Sequence, residues 1–275
     1  MASENICSAC SWSETRQAGC RYNNRVKIFY GVKRTIEPPN FESLNIRFLA
    51  ERTSIPIPKV VEEWQEVDGT YFLLTKRIQG QPLSEIWPTM SAADKERVAK
   101  QTADYLMQLR ELHSNRMESI GGQPLYSAFL FPNGYGIGHG PLSLDDEPWA
   151  EMLLALSKVP EEIRLELRRR MPSAAPYTFT HAELTNVNII VDNGNLAGIL
   201  DWGSSGYFPV WWEFTCAGIG LGQEDKEWKD LLRMHLQDHT EARNFWLDFY
   251  ALRKYPNLDE RGLSFLKSSG LSMPK

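Results

Sequence analysis

Four residues, Gln79-Gly80-Gln81-Pro82, divide this chain into halves that follow different rules. Glycine frees the backbone and proline fixes it, so such a run interrupts any regular element. Before it, Arg25–Tyr30 reads as a strand and Phe41–Arg52 as a helix with apolar residues at 41, 44, 48 and 49. Val60–Trp64 and Tyr71–Ile78 read as two strands joined by Val67-Asp68-Gly69-Thr70, whose Asp-Gly pair is a hairpin signal. After the divide the period becomes helical. Ser91 can cap a helix over Ala92–His113, with apolar residues at 98, 102, 105, 106 and 109. Further helices are expected over Glu147–Ser157 and Glu161–Arg170, and the Gly- and Pro-rich residues 115–146 read as loop. One short hairpin interrupts the helical half: Asn188–Val191 and Leu196–Leu200, turned at Asp192-Asn193-Gly194-Asn195. Strands gathered before helices exclude the βαβ alternation of a doubly wound sheet. The expectation is an α+β chain with a small sheet-bearing lobe, residues 25–79, hinged to a larger helical lobe, residues 80–275. A loose extension, residues 1–24, precedes them. The cleft between two such lobes is where a ligand binds.

Composition limits the partners. The 275 residues carry a net charge of −5, which disfavours a broad nucleic-acid or anionic-membrane surface, since either needs a basic face. No apolar run approaches the roughly 20 residues of a membrane span. The first twenty residues lack the basic-then-apolar order of a secretion signal, so a cytoplasmic protein is expected. Cys7 and Cys10 form a CxxC with Cys20 nearby. A closed zinc site normally has four ligands, so these read as reduced bystanders.

Chemistry concentrates in Thr180–Trp202, THAELTNVNIIVDNGNLAGILDW. Closing the hairpin brings Asp201, at the end of its second strand, back beside Asn188, at the start of its first. A carboxylate and an amide oxygen on one point make a hard-oxygen site suited to Mg²⁺. Glu183, five residues before Asn188, can face a hydroxyl brought near that metal.

The run His181-Ala182-Glu183-Leu184-Thr185-Asn186-Val187-Asn188, followed by Ile199-Leu200-Asp201-Trp202, resembles the catalytic signature of the aminoglycoside-phosphotransferase and choline-kinase-like small-molecule kinases, particularly their fungal phosphotransferase-like branch. The similarity extends over residues 25 to 255, including FLAERTSIPIPKV at 48–60. The resemblance implies a protein-kinase-like two-lobed fold with a shortened N-terminal lobe, and phosphoryl transfer from ATP to a hydroxyl or amine of a small molecule. Asn188 and Asp201 would hold Mg²⁺ that bridges the phosphates, and Glu183 would stand where the family carries its catalytic base. His181 would shape the catalytic loop and, secondarily, share in its chemistry. Lys27 would be the strand lysine on the phosphates, with Lys33 its rival, and Glu42 its helix partner. The segment around Thr75 and Arg77 would meet the nucleotide base. Glu213 matches a position that is more often architectural. The chain departs from the family in having Glu183 where an aspartate is usual, which displaces the carboxylate by about an ångström, and a misplacement of that size costs on the order of 10²-fold in rate. It also shows no glycine-rich hairpin before Lys27, and both departures imply weak or altered activity.

Two other functions stay open on these residues: acid–base chemistry on a metabolite without nucleotide, and a non-catalytic pseudokinase acting as a binding module. Individual residues also have plainer readings. Asn188 and Asp201 can cap turns, Lys27 and Glu42 can be solvated surface charges, and Trp202, Trp211 and Trp212 can be core. His181-Ala182-Glu183 also matches the H-x-E of zinc deaminases, but no PCxxC follows it. GYGIGHG at 134–140 lacks the strand and helix of a phosphate-binding loop, and no GxxxxGK[ST] or GxSxG occurs.

Overall fold

The computed structural model describes residues 30–35 (backbone only), 42–65, 67, 71–127, 129–131, 137–220 and 222–271. The first half builds one small sheet. Strand β1 spans Tyr30–Thr35, β2 Lys59–Gln65 and β3 Tyr71–Lys76. All pairings are antiparallel in the order β1-β3-β2, with Lys33 opposite Leu73 and a bulge in β2 between Val60 and Glu62. Helix α1, Glu42–Arg52, lies between β1 and β2. The expected strand at Arg25–Tyr30 meets the observed one only at Tyr30. Residues 25–29, and with them Lys27, lie outside the described residues, as does the CxxC segment.

Strand β4, Gln81–Pro82, leaves the hinge segment and pairs with β7, Ile189–Asp192, so the chain entering the helical half is stitched to the hairpin. Helix α2, Leu83–Ile86, follows, and then α3, Ala92–Arg110. The Ser91 side chain caps α3 by accepting from the Asp94 N–H at 3.1 Å. Val98, Ala99, Thr102, Ala103, Leu106 and Leu109 form its buried stripe. The helix stops three residues short of the expected His113, because His113–Ser114 is a strand, β5, paired with β6, Tyr177–Thr180.

The described residues from 115 to 145 are irregular yet cross-linked by isolated bridges such as Met117↔Leu142 and Leu125↔His139. Helices α4, Asp146–Leu153, and α5, Glu161–Arg169, lead to β6. The hairpin consists of β7 and β8, Asn195–Ile199, and β9, Gly206–Pro209, pairs with β6. The chain closes with α6, Trp212–Cys216, α7, Gln223–Arg233, α8, Thr240–Leu252, and α9, Glu260–Ser268. One apolar cluster fills the distal helical body around Trp212, Trp246 and Phe249. A second runs from α1 through α3 to the hairpin and α7, around Leu49, Leu106, Ile199 and Trp228. That second cluster joins the sheet lobe to the helical lobe directly beneath the hinge. Among the described residues no helix is long and apolar enough to cross a membrane.

Candidate functional site

The catalytic-loop candidate is a backbone structure before it is a chemical one. His181 is fully buried, and both ring nitrogens are committed to main chain. Nε2 bonds the Leu200 carbonyl at 2.8 Å and Nδ1 accepts from the Glu183 N–H at 3.2 Å. Those partners require the proton on Nε2. The ring also stands edge-on to Trp202, with centroids 4.5 Å apart. Ala182 has φ of 69°, a left-handed conformation that is costly for a residue with a Cβ. It is held there by Glu213, whose buried Oε2 accepts from the His181 N–H at 2.7 Å and whose carboxyl also accepts from the Ala182 N–H. Burial, opposed by these donors and by the Arg110 charge, pushes the Glu213 pKa up to about 7.

The other end of the loop is tied to α7. Asn186 N–H donates to Asp225 at 2.8 Å, and Trp228 Nε1 donates to the Leu184 carbonyl at 3.0 Å. Asp225 is itself in a buried ion pair with Lys229, 2.9 Å apart. The loop from 181 to 188 is thus clamped at both ends by buried side chains. Sequence reasoning gave no role to Asp225 or Trp228; their only signal is a charged residue and an indole falling on the apolar face of a helix.

Asn188 and Asp201 come together as the hairpin argument requires. Ile189 pairs with Ile199, and Leu200 N–H donates to the Asn188 carbonyl at 2.8 Å. Asn188 Nδ2 donates to the Glu183 carbonyl at 3.0 Å, which leaves Oδ1 as that side chain's acceptor. Asp201 has φ of 62°, a conformation aspartate tolerates better than most residues. Just past it, α1 fixes the chain. Glu42 Oε1 accepts from the Trp202 N–H at 3.3 Å, and Asn45 Nδ2 donates to the carbonyls of Trp202 at 2.7 Å and Ser205 at 3.1 Å.

One cavity of about 360 Å³ collects most of the candidates. Glu42, Thr75, Arg77, Asn188 and Asp201 line it, with Leu73, Ile78, Pro82, Ile190 and Leu200 among its apolar walls. Its size is that of a small-molecule site. Glu183 and His181 do not line it; the Glu183 backbone carbonyl is held by Asn188 Nδ2. Lys33 lies in β1 opposite the lining residue Leu73, whereas Lys27 is not among the described residues. Trp202, Trp211 and Trp212 are buried core. Of GYGIGHG, residues 137–140 are described, and His139 there is buried against Glu151 with Nδ1 2.8 Å from its carboxylate. The donor set fits Mg²⁺: an amide oxygen and a carboxylate on one cavity leave most of an octahedron to phosphate oxygens and water, the usual way this ion is held. Among the described residues no three His, Cys, Asp or Glu converge on a metal position.

A small antiparallel sheet and its helix, hinged to a helical lobe over a shared cavity, is the arrangement of a kinase-like phosphotransferase. The chain belongs to the phosphotransferase enzyme family (APH), whose sequence model matches residues 40–246. Among solved structures, it is similar to the ternary complex of APH(2'')-IIa with streptomycin and ATP, at 18% identity and a TM-score of 0.54, covering 88% of this chain and 84% of that one. It is also similar to a thermostable APH(4)-Ia with AMP-PNP and hygromycin B, at 14% identity and a TM-score of 0.55, covering 87% and 83%. ADP-bound APH(2'')-Ib gives 16% identity and a TM-score of 0.52, covering 88% and 85%. At these identities the likeness is one of fold. No curated protein matches the chain in sequence.

Proposed function

We propose that this protein transfers the terminal phosphoryl group of ATP to a hydroxyl or amine of a small molecule. The observation that carries the reading is the convergence of Asn188 and Asp201 on a single cavity whose far wall is the hinge segment Thr75–Gly80. Bound Mg²⁺ would neutralise the phosphate oxygens, and Asn188 and Asp201 are the residues that would hold it. Asn188 keeps its acceptor oriented by donating an Nδ2 N–H to the Glu183 carbonyl. Glu183 is assigned the role of orienting, and taking the proton of, the acceptor group. Glu183 is not among the residues lining the cavity of Asn188 and Asp201, which suits a residue that meets a second substrate rather than the donor. Both nitrogens of His181 are taken up by backbone, so its role is to hold the loop. For the phosphate lysine we favour Lys33 over Lys27, because Lys33 lies in β1 opposite Leu73, and for its partner Glu42, which lines the same cavity. The lobe boundary falls at residue 80 in this reading. The solved relatives with ATP, AMP-PNP and ADP bound support a nucleotide donor.

The test is a thermal titration with ATP and Mg²⁺. Ligand binding to the native state raises the midpoint by mass action. The expected result is a saturable rise that Asp201→Ala removes. No rise at millimolar nucleotide would remove the donor from the account and leave metal-free chemistry or simple binding in its place.

A further inference from the structure

The hinge segment crosses the β7–β8 hairpin at two glycines, and the two contacts differ in kind. At Gly80, φ is +122°, and a Cβ would stand 2.5 Å from the Val191 carbonyl oxygen, so backbone meets backbone. At Gly198, on β8, the backbone is ordinary strand, and a Cβ would stand 2.3 Å from Cδ1, 3.0 Å from Cγ2 and 3.3 Å from Cγ1 of Ile78. The three nearest atoms all belong to one flexible side chain. Gly198 pairs with Ile190, and both Ile78 and Ile190 line the cavity. Asp201 lies three positions beyond Gly198, about 10 Å on at the rise of an extended chain. The Ile78 contact therefore lies at the hinge end of the cavity, away from the metal-binding oxygens.

We infer that Gly198 controls how well the cavity admits its donor nucleotide. Its missing side chain lets Ile78 lie back against β8, and this recess sets the depth of the slot that receives the planar base of the donor nucleotide. The inference rests on the nucleotide-donor reading given above and adds to it which residue controls the fit. A methyl group at 198 pushes Ile78 off the hairpin. Beneath Ile78 is strand backbone, so the side chain moves into the cavity. Forcing one extra carbon into a packed site is strongly unfavourable, and here the strain falls on the ligand's space rather than on the core.

The experiment measures ATP affinity in the presence of Mg²⁺ by calorimetry for the unaltered protein, Gly198→Ala, Ile78→Ala and the double variant. Gly198→Ala is expected to weaken binding about tenfold or more. In the double variant, where the displaced side chain is gone, affinity should return to that of Ile78→Ala alone. Comparing those last two keeps the inference testable even if Gly198→Ala by itself folds poorly. Undiminished binding by Gly198→Ala would overturn the inference, since Ile78 would then swing to solvent instead. Equal weakening in the single and double variants would overturn it too, because the glycine would then be serving the hairpin backbone. No binding by the unaltered protein would be a different failure, that of the nucleotide reading itself.

Discussion

Replacing Glu213 with glutamine should change how stability depends on pH, in a direction fixed by the burial of this side chain. Glu213 is enclosed beneath the loop that begins at His181, and its pKa is pushed up to about 7, chiefly by burial. A carboxyl whose folded-state pKa exceeds its unfolded value stabilises the fold most fully below about pH 4.3. That contribution is lost progressively as pH rises from about 4.3 and is gone once pH has passed through about 7. The displacement corresponds to about 3 kcal/mol between the two limits. Glutamine keeps an acceptor oxygen for the His181 N–H but does not ionise. Urea unfolding of both proteins from about pH 5 to pH 8 gives the difference directly. The glutamine variant should gain on the parent as pH rises, by about 3 kcal/mol in all, steadily between about pH 5 and pH 7 and with little further change above about 7. A difference that is flat with pH, or that grows in favour of glutamate, would refute the reasoning. It would mean that the two loop N–H groups and Arg110 stabilise the anion more than burial opposes it.

Other outcomes follow from the same geometry. Glu183→Gln should lower kcat by about 10²-fold or more while leaving the KM for ATP nearly unchanged, as read from steady-state phosphoryl transfer, because the residue meets the acceptor and not the donor. Lys33→Ala should raise the KM for ATP or lower kcat/KM by a larger factor than Lys27→Ala; equal effects would take the phosphate role away from β1. Asp225→Asn leaves Lys229 buried without its counter-charge and should cost about 3 kcal/mol in urea unfolding. Trp228→Phe orphans the Leu184 carbonyl and should cost about 1–3 kcal/mol.

The hairpin was the most legible part of the sequence, since its turn residues and strand lengths alone bring Asn188 beside Asp201. Helix α1 was legible as a helix but not by its face. The apolar pattern places Leu44 inward, yet Leu44 is 41% exposed and Asn45 fully buried. The reason is that α1 turns Glu42 and Asn45 toward the Trp202 and Ser205 backbone, so polar residues occupy positions that hydrophobic periodicity assigns to the surface. Strands β6 and β9 were missed for a different reason. Each is four residues long, and their pairing joins segments nearly thirty positions apart, so no local turn announces it. Of the strand expected at Arg25–Tyr30 only Tyr30 is described, as the first residue of β1; the rest of β1, GVKRT, has a weaker β-branched and aromatic signal and is set by its pairing with β3.

The central claim is that Asn188 and Asp201 hold one cation together with the donor's phosphates. Mn²⁺ can stand in for Mg²⁺ and be followed by electron paramagnetic resonance in the presence of AMP-PNP. The account predicts that bound Mn²⁺ appears only with the nucleotide and is lost in both Asn188→Ala and Asp201→Ala. Nucleotide binding that ignores the cation, or Mn²⁺ retention in either variant, would contradict it.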